Sequence, residues 1–206
     1  MSNGDNPTLV ATPYTAPTAI GLPIVSPFDT FQPEGCRDAP RRISLELTAD
    51  RPDAEQIVQA LARLALAYGK SECVVNFAKC MIEDITANND TQGMFSRITK
   101  FLVEQVIYVA DPLGAEYVRS PVQLLRQWED QGSAQGDCDD HVLLANSLFN
   151  ALGFKTRVVA LKVFNDAVFD HVICSVLLQG TWYDFDPCNK SDPFHAYPGD
   201  RVMASA

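Results

Sequence analysis

Gly136-Asp137-Cys138-Asp139-Asp140-His141-Val142-Leu143-Leu144 decides how this chain is read. Asp137 is a good helix N-cap residue, which places Cys138 in the first turn of a helix. Unpaired backbone N–H groups and the positive end of the helix dipole gather there, and both favour thiolate. They also lie where an oxyanion could be held. Cys138, Val142, Ala145, Phe149 and Leu152 recur at helical spacing, so the cysteine heads the stripe that packs into the core. That stripe aims the sulfur at whatever the helix packs on.

The helix pattern stops at Leu152-Gly153, and strand patterns follow. Thr156 to Phe164, Asp170 to Leu178 and Thr181 to Asp186 are rich in Val, Ile, Leu and aromatic residues. Gln179-Gly180 is a two-residue hairpin turn between the last two. That turn pairs 178 with 181 and sets His171 opposite about position 188, close to Asp186. An aspartate beside a histidine on adjacent strands can accept from one ring nitrogen and fix the tautomer. The other nitrogen is left to face the sulfur. Cys138, His171 and Asp186 therefore come in the order that a thiol nucleophile, its base and the base's orienter require. Asp184 is a rival orienter of the same strand parity, one pair further from His171. Gln135 is a candidate oxyanion donor, against its reading as a plain loop glutamine.

Opposing readings exist for each residue. A cysteine in a helix is commonly a small core residue. Asp137, Asp139 and Asp140 raise a thiol's pKa and oppose the helix dipole unless they point to solvent. Consecutive helical residues diverge, so Cys138, Asp139, Asp140 and His141 cannot converge on one metal ion, and no cofactor is expected. His141 is expected as an exposed helix residue. Cys174 reads as core, as do Cys73 and Cys80, and Cys188 lies near the site.

Upstream, helices are expected from Pro52 to Gly69, from about Ser71, from about Gly93 to Tyr108, and from Ser120-Pro121 through Gln127. Gln131 to Gly136 is a small-residue loop. Ile43 to Thr48 alternates with period two and suits a short strand. Helices first and an antiparallel sheet later make an α+β layout.

Residues 1–42 differ in kind. They hold 7 of the 13 prolines, and through residue 33 their only charges are Asp5 and Asp29. Proline at this density favours extended chain. Either this arm wraps the chain's own body or hangs as a loose tail, or it engages a neighbouring subunit. The expected division is an arm at 1–42, a domain at 43–191 and a C-terminal surface tail at 192–206.

The chain of 206 residues carries a net charge of −10, which disfavours a duplex nucleic-acid partner. No basic run marks a membrane surface, and no apolar stretch approaches the roughly 20 residues that span a bilayer. The N-terminal residues lack the features of a signal peptide. A reducing, cytoplasmic compartment is expected, with the six cysteines as free thiols; a virion location is expected only from the resemblance given next.

Residues 136–159 resemble the core motif of the transglutaminase-like superfamily of papain-like enzymes. In that family a Gly-x-Cys turn starts a helix ending fifteen residues later in Leu-Gly, followed by Arg-Val-Val. Leu152-Gly153 and Arg157-Val158-Val159 match it. His171 and Trp182-Tyr183-Asp184-Phe185-Asp186-Pro187 match the family's histidine strand and its Trp-x-x-x-Asp-Pro pattern. The Gly-Asp-Cys-Asp-Asp form resembles the bacterial and phage branch. So do Asp111-Pro112 and Ser120-Pro121-Val122-Gln123-Leu124-Leu125. The resemblance covers about residues 90–190. It implies a papain-like fold, with Cys138 as nucleophile, His171 as base and Asp186 as orienter. It also implies a thioester intermediate resolved by water or an amine, on a peptide or protein amide. The alternative is a weak or inactive virion component that binds neighbouring subunits through residues 1–42.

Overall fold

The computed structural model describes residues 36, 53–85, 90–111, 117–163 and 168–206. Apart from Cys36, the expected arm at 1–42 lies outside the described residues, as does the expected strand at 43–48.

The chain opens with helices α1 (Ala54–Tyr68), α2 (Glu72–Met81) and α3 (Thr91–Gln105). Each starts on a side chain that accepts a backbone N–H of its first turn. Asp53 accepts from Gln56, Ser71 from Val74 and Asp90 from Gly93. Ser120 does the same for α4 (Pro121–Gln131), with Pro121 in the first turn. A cap of this kind contributes about 1 kcal/mol.

The expected third helix ran to Tyr108, but Val106–Tyr108 is strand β1. It pairs in parallel with β2 (Ala134–Gly136), within the stretch expected to be loop. β-Branched Val106 and Ile107 suit a strand, and β2 supplies partners: Val109 N–H donates to the Gly136 carbonyl at 2.8 Å.

Helix α5 (Cys138–Ala151) follows, then an antiparallel sheet of β3 (Lys155–Leu161), β4 (His171–Leu178), β5 (Thr181–Phe185) and β6 (Arg201–Ser205). The strand order is β5-β4-β3-β6. Gln179 and Gly180 both take positive φ, 52° and 84°, as a hairpin turn matched to strand twist requires. Leu178 pairs with Thr181 and Cys174 with Phe185, the register the turn predicts. β6 lies in the segment expected as a surface tail. Its alternate residues Val202 and Ala204 pack on the core, and the strand joins β3 and lies against α1.

α5 packs against α1, α2, α3 and α4 and against β3 and β4. Every residue from Asp140 to Phe149 is buried. The expected single apolar stripe is therefore a helix enclosed all round. Phe149 stacks on Phe95 and meets Phe154 edge-on, with centroids 5.4 and 5.6 Å apart.

The expectation of six free thiols is corrected. Cys36 and Cys73 form a disulfide, and Cys80, Cys138, Cys174 and Cys188 are free. Folding brings the two Cα atoms within 4.5 Å, a proximity that spacing along the chain does not encode. Alkylation of unfolded, unreduced protein should label four cysteines, rising to six after reduction; mass spectrometry counts them. Cys73→Ser should cost about 2–4 kcal/mol in denaturant unfolding.

Candidate active site

Asp137 caps α5: its side chain accepts the Asp140 N–H, and the Asp140 side chain accepts the Asp137 N–H in return. Cys138 therefore sits at the start of the helix, partly buried, as the sequence predicts. Two forces compete over its proton. The N–H of Val172, the residue after His171, is directed at the sulfur and favours thiolate. Burial raises the thiol's pKa, and so do the carboxylates of Asp139 and Asp137. Asp137 is itself buried, and the thiol donates to Asp139 Oδ1 at 3.6 Å. Asp137 is shielded from solvent and Asp139 bonds the thiol directly, and the raising influences win. In this arrangement the thiol is protonated.

The imidazole side of the site is built more tightly. His171 starts β4, and Asp186 follows the end of β5 on the partner strand. His171 Nε2 lies 2.8 Å from Asp186 Oδ2. A carboxylate can only accept, so Nε2 carries the proton and Nδ1 is the basic nitrogen of the neutral ring. Asp186 also accepts from the Tyr197 hydroxyl at 2.5 Å and from the Cys188 N–H at 2.9 Å. Burial alone would push the Asp186 carboxyl up. The bonds from His171, Tyr197 and Cys188 outweigh it and hold the group below the ordinary carboxylate range. The rival orienter Asp184 pairs instead with Arg201. Gln135 is exposed, and its described bonds are main-chain: its N–H donates to Gln127 and its carbonyl accepts from Arg119.

Two residues differ from expectation. His141, expected at the surface, is fully buried because α5 has no solvent face there. The carbonyls of Ile107 and Pro187 face its ring, though neither nitrogen reaches hydrogen-bond geometry. Burial lowers its pKa to about 4. Tyr197 escaped the sequence reading because nothing local marks it. It reaches Asp186 only because Pro193 accepts the Asp186 N–H, folding the following segment back over the site. Burial and the Asp186 carboxylate push the Tyr197 phenol up to about 12.

The Arg157 and Trp182 of the sequence motif have a structural role. The Arg157 guanidinium lies 3.6 Å over the Trp182 ring, bridging β3 and β5 across β4. Among the described residues no cluster of His, Cys, Asp and Glu could hold a metal ion, and no helix is long and apolar enough to cross a membrane.

The model of the transglutaminase-like superfamily matches residues 79–187, a span that contains Cys138, His171 and Asp186. The chain belongs to the transglutaminase-like superfamily. No curated protein matches its sequence. Among solved structures it is similar to a protein from Parabacteroides distasonis ATCC 8503, provisionally described as a protease. The TM-score is 0.51 and the identity 16%, over 75% of this chain and 30% of that one. It is also similar to a protein from Cytophaga hutchinsonii, provisionally described as a cysteine protease, at 17% identity and TM-score 0.47, over 70% of this chain and 54% of that one. The likeness to the first is one of fold.

Tyr197→Phe removes one donor from a buried carboxylate. It should cost about 1–2 kcal/mol in denaturant unfolding and raise the Asp186 carboxyl toward its ordinary range. Carboxyl NMR titration reads the second effect. His141 should stay neutral in the native protein down to about pH 4. The unfolded chain takes up that proton near pH 6.5, so this residue's contribution to stability is present above about 6.5 and is lost as pH falls toward 4. Imidazole NMR shifts and unfolding free energies across that window check it.

Proposed function

We propose that this protein is a cysteine hydrolase acting on an amide of peptide type, through Cys138, His171 and Asp186. One observation carries the reading: the His171–Asp186 pair stands at the edge of β4 whose next N–H, that of Val172, is directed at the Cys138 sulfur. Membership of the superfamily supports it.

The chemistry follows from proton placement. His171 Nδ1 takes the thiol proton, and the sulfur attacks the amide carbonyl. The C–N bond breaks as the imidazolium protonates the leaving nitrogen. A thioester to Cys138 remains. Water, giving its proton to His171, attacks the thioester, releasing the acid and restoring the thiol. An amine in place of water gives transfer. Asp186 stabilises the imidazolium and holds the tautomer throughout. For the first step the Asp139 carboxylate must release the thiol. Its rotation or neutralisation removes one of the influences that keep the proton on sulfur, leaving the Val172 N–H, the helix N-terminus and the His171 base to work against burial and Asp137.

A second reading has one observation behind it. The acids around Cys138 keep its thiol protonated, which suits a protein that retains the fold with weak or no activity. A bacterial or phage origin rests on the Gly-Asp-Cys-Asp-Asp resemblance, and a virion role on residues 1–42, which lie outside the described residues.

The pH dependence of iodoacetamide alkylation at Cys138, followed by mass spectrometry, separates the two readings. A hydrolase should show alkylation below pH ~8.5, the ordinary thiol range, abolished by His171→Ala and accelerated by Asp139→Asn. Slow alkylation in the wild type, indifferent to His171→Ala, would sink the hydrolase in favour of the structural protein.

A further inference from the structure

One buried carboxylate ties together the turn that presents Cys138. Asp140 is completely buried. Its Oδ1 accepts the Arg119 N–H at 2.5 Å. Its Oδ2 accepts from Arg119 Nη1 at 3.2 Å and from the Asp137 N–H at 3.3 Å. Arg119 Nη1 also donates to the Gln135 carbonyl at 2.9 Å. Residues 135, 137 and 140 bracket the nucleophile: Gln135 and Asp140 are fastened directly to one arginine 21 residues upstream of Asp140, and Asp137 is fastened through Asp140. Gly136 makes the approach possible. A Cβ there would stand 2.5 Å from Asp140 Cβ and 2.6 Å from Oδ2.

The capping box at Asp137 uses one bond of the Asp140 carboxylate, that from the Asp137 N–H. The two bonds from Arg119 go beyond what capping requires. Burying an acid with an arginine costs several kcal/mol of desolvation before their attraction offsets it. A site that needs its nucleophile in one place gains from such a clamp, because the clamp removes the turn's freedom to rotate about the helix axis. The bonds of the Asp140 carboxylate run to Arg119 and to the Asp137 N–H. Its action passes through the backbone on either side of Cys138.

We propose that Asp140, locked by Arg119, is a positioning residue that holds the Cys138 turn so that the sulfur stays beside His171. The proposal rests on the Cys138–His171–Asp186 reading above. Burial raises the Asp140 carboxyl to about 7 against the lowering pull of the Arg119 N–H, so the clamp is ionised above that pH.

The test exploits opposite signs. If Asp140 mattered only as a nearby negative charge, Asp140→Asn would ease thiol ionisation and speed alkylation. If it positions the turn, the same change slows alkylation. The amide's NH2 then faces donors it cannot accept from, and the His171-dependent limb disappears. Iodoacetamide alkylation of Cys138 is measured against pH in the full chain for wild type, His171→Ala, Asp140→Asn and Arg119→Gln. Circular dichroism confirms folding of each. The expected result is a loss of the His171-dependent rate of about tenfold or more in Asp140→Asn and a smaller loss in Arg119→Gln, the scale on which small misplacements act. Folded variants that keep the wild-type limb, or alkylate faster, overturn the positioning role alone. A wild type with no His171-dependent limb overturns the catalytic reading and this proposal with it. Arg119 is 33% exposed in its side chain, so Arg119→Gln carries the decision if Asp140→Asn does not fold.

Discussion

Helix α5 has helices on one side and the antiparallel sheet on the other, and between Asp140 and Phe149 none of its residues reaches solvent. The rest of the structure is arranged around that enclosure. A helix buried on all faces cannot rotate or slide without opening cavities, and each lost large side chain costs a few kcal/mol. Its N-terminus is therefore a fixed point, and Cys138 is the residue that occupies it. The same enclosure explains the polar residues inside. Asp140 is tolerated because Arg119 and two backbone N–H groups meet it. His141 is tolerated as a neutral ring facing two carbonyls.

The two halves of the site are prepared to different degrees. The imidazole half is complete: a two-residue turn sets the register, the register brings His171 to Asp186, and three donors hold that carboxylate ionised. The sulfur half is held back. The helix N-terminus and the Val172 N–H pull toward thiolate, while burial, Asp139 and Asp137 pull away and prevail. Burial is set by the whole fold, but one part of the contest is local, because Asp139 is the residue next to Cys138 and reaches its sulfur directly. A single side-chain rotation would alter the balance without moving the backbone, which α5 does not permit.

Much of this was legible along the chain because the governing interactions are short in sequence. Asp137 caps the α5 turn, Ser120 and Pro121 open α4, and Gln179-Gly180 sets the β4–β5 hairpin, each acting over two to four residues. The placing of His171 against Asp186 rather than Asp184 follows from the register that turn sets, which puts His171 opposite about position 188. Helix length was read less well. Val106–Tyr108 continues the apolar spacing of α3, and only the presence of β2 alongside makes it a strand.

The amino-acid sequence by itself determined the order of elements, the cap at Asp137, the hairpin register and hence the His171–Asp186 pairing. All of these depend on neighbours within one turn or one hairpin. Tertiary structure alone decided the rest: the burial of His141, the arrival of Tyr197 at Asp186, the joining of β6 to β3, the Cys36–Cys73 disulfide and the hold of Arg119 on Asp140. Each of these depends on which surfaces the closed fold brings together. A side chain's local pattern records its own polarity and its periodicity, but not what will pack against it from elsewhere in the chain.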